Sequence, residues 1–273
     1  MMTILNQILS RRSLIKELVL KDLKVRYCRP YLGFLWAFLA PFFTAVILYV
    51  VFSLFLKVRT EGVPFFLYLV SAVFAWGFFQ ESLLSSSPSL LQNKNLIRES
   101  SFPHYLIPVS IVAAKMISFL PSLAIVIGIC LYVLKAVPLG ILCLPLVLIL
   151  HLGLTVGLSI TASTLYVRWR DIQYLLEVAL LFLFYLTPVV YPLSLVKNSL
   201  PRWLFLAYML NPFVGLLNLY RACIIKGFYA TMQGYVGIVT LIVIPAVCAL
   251  FALFSGFYIY NKNKSRINDY LSY

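Results

Sequence analysis

The sequence predicts an all-α polytopic membrane protein with six transmembrane helices. Of its 273 residues, 63% are hydrophobic and only 11% are charged, and the mean hydropathy is +0.98. A soluble domain typically carries about 25% charged residues. Six nearly uncharged stretches also reach the length of about 20 residues that a helix needs to cross the hydrocarbon. These observations exclude a single water-soluble core and argue against an active site of the soluble type.

An amphipathic helix on the membrane surface is predicted ahead of the first span, over residues 10–30. Its apolar residues gather on one side and are Leu14, Ile15, Leu18, Val19 and Val25. On the other side, Glu17 and Lys21 stand four residues apart, as do Asp22 and Arg26, a spacing that allows ion pairs on a helix. The alternative is a plain cytosolic extension of the first span.

The whole chain, residues 1–273, is predicted to form one membrane domain. Its spans are expected at 34–56, 63–84, 105–134, 139–166, 173–194 and 233–260. A seventh uncharged run carries Asn211-Pro212 at its middle, and proline both lacks an N–H and disfavours helix in the residue before it. We therefore predict a re-entrant helical hairpin on the outer side over 200–226, between the fifth and sixth spans. Irregular backbone at membrane depth is tolerated where protein or water surrounds it.

The loop over residues 85–104 is the longest one predicted on the cytoplasmic side. A serine-rich beginning leads into a short amphipathic piece, Asn93 to Ser100, which Phe102-Pro103 closes. A helix of one or two turns is marginal by itself in water. We therefore expect this piece to dock on another surface, and a solvated connecting loop is the alternative.

The distribution of Lys and Arg predicts that both termini are cytoplasmic. With six spans and one hairpin, the cytoplasmic segments hold fourteen of the 22 basic residues and the outer segments hold seven, with Lys115 left inside a span. This excess agrees with the positive-inside rule. The net charge of +14 comes from bases that flank apolar runs, which indicates contact with lipid headgroups and not with nucleic acid. The five cysteines have no paired spacing, and His104 and His151 stand alone, so we expect neither a disulfide framework nor a metal site.

Five segments, taken in order along the chain, form a recognisable set. They are KDLKVRYCRPYLGFLWAFLAPF (21–42), NLIRESSFPHYLIPVS (95–110), YVRWRDIQYLLEV (166–178), LTPVVYPLSLV (186–196) and LNPFVGLLNLYRACIIKG (210–227). Together they resemble the type-2 ABC exporter permeases that move polysaccharides such as O-antigen, capsule and teichoic acid. The resemblance covers nearly the whole chain.

This resemblance implies a half-transporter in the bacterial cytoplasmic (inner) membrane. Two copies of the chain would form a channel for a lipid-linked polysaccharide, and two copies of a separate nucleotide-binding subunit would hydrolyse ATP. The chain itself would then hold no cofactor, because ATP and Mg²⁺ would bind to the partner. In agreement, the sequence contains no GxxxxGK(S/T) phosphate-binding loop.

The resemblance also implies roles for particular residues. The helix that couples to the ATPase would consist of Asn93, Lys94, Asn95, Leu96, Ile97, Arg98 and Glu99. The segment 200–226 would form an outer gate, with Pro188, Asn211, Pro212 and Arg221 as its candidate residues. Candidates for coupling or for admitting the headgroup of a lipid-linked substrate are Lys24, Arg26, Tyr27 and Arg29 near the first span, and Arg168, Arg170 and Asp171 before the fifth. Glu81, Lys115 and Glu177 are expected to pair or to reach the surface near span ends.

Aromatic residues follow one face of the first span in steps of three or four. They are Phe34, Phe38, Phe42, Tyr49 and Phe52. Such rings could stack on sugar faces and let a polymer slide, whereas packing between helices or anchoring at the interface is the alternative. Tyr185 and Tyr191 around Pro188 are further candidates for the path. So are Trp76, Phe78 and Phe79, although Trp76 also suits an interfacial anchor.

Two other functional classes fit the sequence less well. A membrane-embedded transferase needs clustered Asp, Glu or His residues for acid–base chemistry, but the eight acidic residues are scattered. A secondary transporter typically shows internal repeats and ionisable residues inside the membrane, and the sequence shows neither convincingly.

Overall fold

The computed structural model describes residues 11–27, 33–60, 62–99, 102–232, 234 and 236–272, and within these ranges it contains helices and no strands. The side chains of Tyr27, Phe34, Glu99 and Arg266 and those of 268–272 lie outside the described part. The helices of the first half are α1 (Arg12–Tyr27), α2 (Trp36–Tyr49), α3 (Phe65–Ser86), α4 (Ser89–Gln92), α5 (Lys94–Glu99) and α6 (Leu106–Leu134). Those of the second half are α7 (Leu144–Tyr166), α8 (Ile172–Tyr185), α9 (Leu193–Ser199), α10 (Arg202–Met209), α11 (Pro212–Ile224), α12 (Phe228–Met232) and α13 (Ile244–Ser272).

Five of the described helical segments are long and apolar enough to cross a membrane. They are Trp36–Phe55, Phe65–Ser86, Leu106–Leu134, Leu139–Tyr166 and Val239–Ser265. Helices α10 and α11 together would make a sixth, but they are bent by 73° to one another. The all-α polytopic class is therefore confirmed, and the predicted break at Asn211 is present. The assignment of the bent pair as a re-entrant hairpin stays a prediction.

The fifth span differs from its predicted bounds. We expected one helix over 173–194, but α8 ends at Tyr185 after 14 residues. Its rise of about 21 Å is shorter than the hydrocarbon core of about 30 Å. Pro188 explains the early end, because its ring would clash with the carbonyl of Phe184 in a continued helix and it offers no N–H. The chain turns over 186–192 and α9 begins at Leu193.

Helix α3 lies at the centre of the bundle and contacts α2, α6, α7, α8 and α11. In a continuous apolar stretch of 18 residues within this span, 78% of the residues are buried. The corresponding fraction is 6% for the span that contains α2. Helices α7 and α13 pack closely along one another. A Cβ atom built on Gly157 would lie 2.2 Å from the carbonyl carbon of Ala252, and one built on Gly256 would lie 2.5 Å from the carbonyl oxygen of Gly157. Small residues therefore bring the two backbones into contact, as in other membrane helix pairs.

Helix α1 is present as predicted, but its apolar face packs against the protein itself. Val19 is buried, and Leu14 and Ile15 pack on the cluster where α6 begins and α13 ends. Val25, which we placed on the same apolar face, is instead 73% exposed. The expected pairing of Arg26 with Asp22 is wrong, because Arg26 forms its ion pair with Glu81 of α3. Apolar side chains pack equally well on lipid and on protein, so the pattern alone did not distinguish the two.

Candidate functional site

The predicted coupling segment forms α4 and α5, at the tip of the connection between α3 and α6. Ile97 is buried and Leu96 packs beside it on an apolar cluster that includes Tyr105 and Tyr260. Lys94, Asn95 and Arg98 are exposed on the opposite side. Asn93 joins the two short helices and accepts a hydrogen bond from Lys21 of α1 at 2.9 Å. The geometry favours a docked helix with an exposed polar face over a solvated loop.

A second contact fixes this end of the molecule to α13. The backbone N–H of His104 donates to the hydroxyl of Tyr260 at 3.0 Å. The ring of Tyr105 meets those of Tyr260 and Phe257 edge to face, at centroid distances of 5.3 and 5.2 Å. A displacement of α5 is therefore expected to move α13 as well.

His104 gives this cluster a pH dependence. Its side chain is buried and Lys264 lies nearby, and both effects lower the pKa of the imidazole below its usual 6.5. Below about pH 6.5 the unfolded chain takes up a proton that the folded chain resists, so the folded state loses stability as the pH falls. We expect the thermal unfolding midpoint to drop less between pH 7 and pH 5 in His104→Gln than in the wild type. An equal drop of the unfolding midpoint in the variant and in the wild type would show that His104 does not cause this pH dependence.

The basic residues proposed to admit a headgroup lie on two separate elements. Lys24 of α1 is exposed, and Arg26 donates to Glu81 at 3.2 Å and to Ser85 at 3.3 Å. Arg29 and the side chain of Tyr27 lie outside the described part. The residues Arg168, Arg170 and Asp171 are exposed in the turn between α7 and α8, where Arg168 covers the ring of Trp169 at 4.6 Å.

The expected pairing of charges near span ends is confirmed for one pair. Lys115 of α6 is 95% buried and its Nζ donates to Glu81 at 2.5 Å. Glu81 therefore contacts both Lys115 and Arg26. Glu177 is exposed and accepts a hydrogen bond from Gln173.

The candidate gate residue Arg221 is fully buried, at the opposite end of α3 from α4 and α5. The guanidinium of Arg221 lies 3.4 Å from the ring centre of Tyr68. Its Nε donates to the backbone oxygen of Tyr68 at 3.1 Å, its Nη2 to that of Val189 at 3.0 Å, and its Nη1 to the side-chain oxygen of Asn218 at 3.3 Å. Among the described residues it contacts no carboxylate. We call Tyr68, Val189, Asn218 and Arg221 the Arg221 clasp.

Further hydrogen bonds connect the clasp to the turn over 186–192 and to the bent pair. Tyr68 donates its hydroxyl to the backbone oxygen of Tyr191 at 2.8 Å, and Tyr191 donates its own to that of Tyr185 at 2.7 Å. Asn211 caps α11 by accepting from the N–H of Phe213, and its amide donates to Thr187 at 3.0 Å.

The predicted gate residues are thus joined by four that the sequence did not indicate: Tyr68, Thr187, Val189 and Asn218. Asn218 precedes Arg221 by three residues, a helical spacing that could have revealed it. Pro212 occupies the first turn of α11, where its missing N–H costs nothing.

The aromatic stripe of α2 packs onto α3. Phe38 stacks on Phe42 and meets Phe74, both at 5.4 Å between ring centres, and Tyr49 contacts Phe66 at 5.5 Å. Phe52 is half-buried against the same core. Helix packing accounts for these contacts, and a role in a sugar path stays a prediction for their exposed edges. The side chain of Phe34 lies outside the described part.

The other aromatic candidates divide into two groups. Tyr185 is 55% exposed. By contrast, Trp76, Phe78 and Phe79 are buried in α3, so the interpretation of Trp76 as an interfacial anchor is wrong. No three His, Cys, Asp or Glu residues of the described ranges lie close enough to hold a metal ion.

Comparison with known proteins identifies the family of the chain. Residues 13–225 match the family model described as ABC-2 type transporter. Over 257 residues the chain is 28% identical to an O-antigen export system permease protein RfbA of Klebsiella pneumoniae, a match that covers 92% of each chain. Over 222 residues it is 28% identical to the protein of the same name from Myxococcus xanthus, covering 81% of this chain and 84% of that protein. A second such Klebsiella pneumoniae protein is 27% identical over 256 residues.

Proposed function

The chain belongs to the ABC-2 type transporter family, and from this premise we propose that it is the membrane subunit of an ATP-driven exporter of a lipid-linked polysaccharide of the O-antigen type. The observation that carries the proposal is the similarity to O-antigen export permeases over 92% of both chains. A teichoic acid, capsule polysaccharide or other amphiphile is the alternative cargo. We propose that the chain lies in the bacterial cytoplasmic membrane with both termini inside, which the excess of Lys and Arg in the predicted cytoplasmic segments supports.

The chain is a multi-pass transport subunit, and its family implies association with an ATPase. We propose that ATP hydrolysis occurs entirely in that separate subunit, since this sequence has no phosphate-binding loop of the Walker type. The partner would contact the exposed side of α5, formed by Lys94, Asn95 and Arg98. Its motion would reach the spans through Ile97 and the contact between His104 and Tyr260.

We also propose that two copies of the chain form the channel. Ala45 is the one buried residue of α2, and Leu180 is the one buried residue of α8, among the described side chains of these helices. The sides of these helices that do not pack on the core are therefore open to lipid or to a second copy. A two-fold dimer with a self-complementary interface is the commonest arrangement of homo-oligomers.

The proposal is tested by purifying the chain with and without a candidate ATPase subunit from the same organism. The chain alone is expected to hydrolyse no ATP. The complex is expected to contain two copies of each subunit by native mass and to move lipid-linked polysaccharide across vesicle membranes only with ATP. Transport driven by a proton gradient without ATP would contradict the proposal and favour a secondary transporter.

Reversing the charge of α5 is expected to separate the two subunits. The double variant Lys94→Glu, Arg98→Glu changes two exposed side chains and leaves Leu96 and Ile97 in their apolar cluster. Charge reversal at an interface turns attraction into repulsion and weakens binding by several kcal/mol. We expect co-purification of the ATPase to fall at least tenfold. The matched control is Lys57→Glu, Arg59→Glu, at the far end of the spans, and an equal loss in both would contradict the assignment.

We propose, finally, that the Arg221 clasp holds the gate closed. It connects the start of α3, the turn over 186–192 and α11, which belong to distant parts of the sequence. Opening a wide path between these segments would require these hydrogen bonds to break or to exchange together.

A further inference from the structure

A groove of about 510 Å³ lies between α1 and the neighbouring ends of α3 and α6. Its polar lining includes Lys21, Asp22, Arg26, Ser85 and Ser110, and the remaining wall is largely apolar. Asn93 of the coupling segment also lines this groove, and Arg26 is a candidate for admitting a substrate headgroup, so the test below includes a diphosphate lipid as a competitor.

The groove lies at the depth in the membrane where lipid headgroups are found. Ser85 belongs to the last turn of α3 and Ser110 to the second turn of α6, and both helices are long enough to cross a membrane. The ends of such spans lie at the boundary between hydrocarbon and headgroups. The mixture of apolar wall and hydrogen-bonding groups suits a molecule that is itself amphiphilic at this depth.

The charges in the groove select among headgroups. Arg26 is already paired with Glu81 at 3.2 Å, and Glu81 is shared with Lys115. Lys21 and Asp22 form no ion pair with another described residue, although Asp22 acts electrostatically on Lys115. Lys21 donates to the neutral oxygen of Asn93. The Oδ2 atom of Asp22 is covered by its surroundings and makes no hydrogen bond within the described part.

A buried carboxylate oxygen without a donor is costly, at about 1–3 kcal/mol. Because Asp22 lines the groove, a ligand there that brings an N–H or O–H group can donate to this carboxylate. One cation and one carboxylate side by side complement a headgroup that carries one phosphate and one ammonium. They do not complement a diphosphate, because the carboxylate would repel its second negative charge.

We propose that this groove binds the headgroup of an ethanolamine phospholipid. The phosphate accepts hydrogen bonds from Lys21 and from a serine hydroxyl of the groove, and the primary ammonium donates to Asp22. A choline headgroup has the same charges but no N–H to donate. A glycerol headgroup has a phosphate and hydroxyls that can donate to Asp22, but it has no positive charge to balance the carboxylate. Asp22 is thus the residue that distinguishes ethanolamine from the other two.

The test measures lipid retention by the purified full-length chain in native mass spectrometry, with matched acyl chains on three probes. These are phosphatidylethanolamine, phosphatidylcholine and phosphatidylglycerol. For the wild type we expect phosphatidylethanolamine to bind at least tenfold more tightly than the other two. In Asp22→Asn the preference over phosphatidylcholine is expected to fall to within twofold. In Lys21→Gln the binding of both zwitterionic lipids is expected to weaken to the same extent, so the ratio of their affinities stays unchanged.

Glu17→Gln is the matched control, because it removes one carboxylate from α1 at an exposed position that does not line the groove. It should leave the preference unchanged. Equal or tighter binding of phosphatidylglycerol by the wild type would overturn the proposal in favour of a general anion site. Displacement of phosphatidylethanolamine by an equimolar polyprenyl diphosphate would overturn it in favour of a substrate site. An unchanged preference in Asp22→Asn would also overturn it.

Discussion

Gly157→Ala is expected to separate α7 from α13 and to destabilise the folded chain by about 3 kcal/mol or more. The new Cβ would lie 2.2 Å from the carbonyl carbon of Ala252 and 2.4 Å from the backbone nitrogen of Leu253. Both obstacles are backbone atoms, so no side-chain rotation relieves the clash and the helices must move apart. The measurement is the thermal unfolding midpoint in detergent, with a decrease of about 10 °C expected.

The control for this substitution is Gly128→Ala on α6. Gly128 also lies inside a long helix, but no atom lies within 4 Å of a Cβ built there. Replacing this glycine should raise stability slightly, by up to about 1 kcal/mol, because alanine loses less backbone entropy in a helix. Equal midpoints for the two variants would show that the close approach of α7 and α13 does not limit stability.

Arg221→Met is expected to loosen the bent pair and to destabilise it by about 2–4 kcal/mol. Methionine fills a similar volume but leaves the backbone oxygen of Val189 and the side-chain oxygen of Asn218 without their donor. Cys223 reports the change, since it is buried on α11 two residues from Arg221. In a chain whose other cysteines are replaced by serine or alanine, a small permeant thiol reagent should label Cys223 at least tenfold faster in the variant.

Arg202→Met is the matched control, because Arg202 is an exposed base at the start of α10. Labelling of Cys223 should stay at the wild-type rate there. Arg221→Lys keeps the charge but presents a single ammonium in place of a planar group with five donors. An intermediate labelling rate is therefore expected, and a rate in Arg221→Met equal to that of the wild type would show that the clasp does not hold this segment.

Hydropathy predicted most of the architecture because burial in lipid leaves a long uncharged run in the sequence. The predicted spans 105–134 and 139–166 differ from the observed Leu106–Leu134 and Leu139–Tyr166 by at most one residue at an end. The fifth span failed because the run from 178 to 196 continues to be apolar beyond the point where Pro188 ends the helix. Hydropathy measures how well side chains transfer into lipid, whereas proline ends a helix through its backbone. The apolar run therefore extends beyond the end of the helix.

The Arg221 clasp could be predicted only in part. Pro188, Asn211 and Arg221 are gate candidates because the family resemblance implies an outer gate near the break at Asn211-Pro212. Their partners were not predicted, because two of the three acceptors of Arg221 are backbone oxygens, which every residue carries. Tyr68 is also 153 positions away in the sequence. Such contacts form only when α3 packs against distant parts of the chain, so no local sequence pattern predicts them.

The chemistry of these acceptors limits how the arginine can be released. Peptide carbonyls, a side-chain amide and an aromatic ring gain or lose no proton between pH 4 and pH 9, unlike the carboxylates that bind buried cations in proton-driven carriers. Neither acidification nor a proton-motive force can therefore neutralise a group on either side of these bonds. Displacement of one segment relative to another can break these bonds, and this is the kind of motion that the proposed ATPase partner would supply.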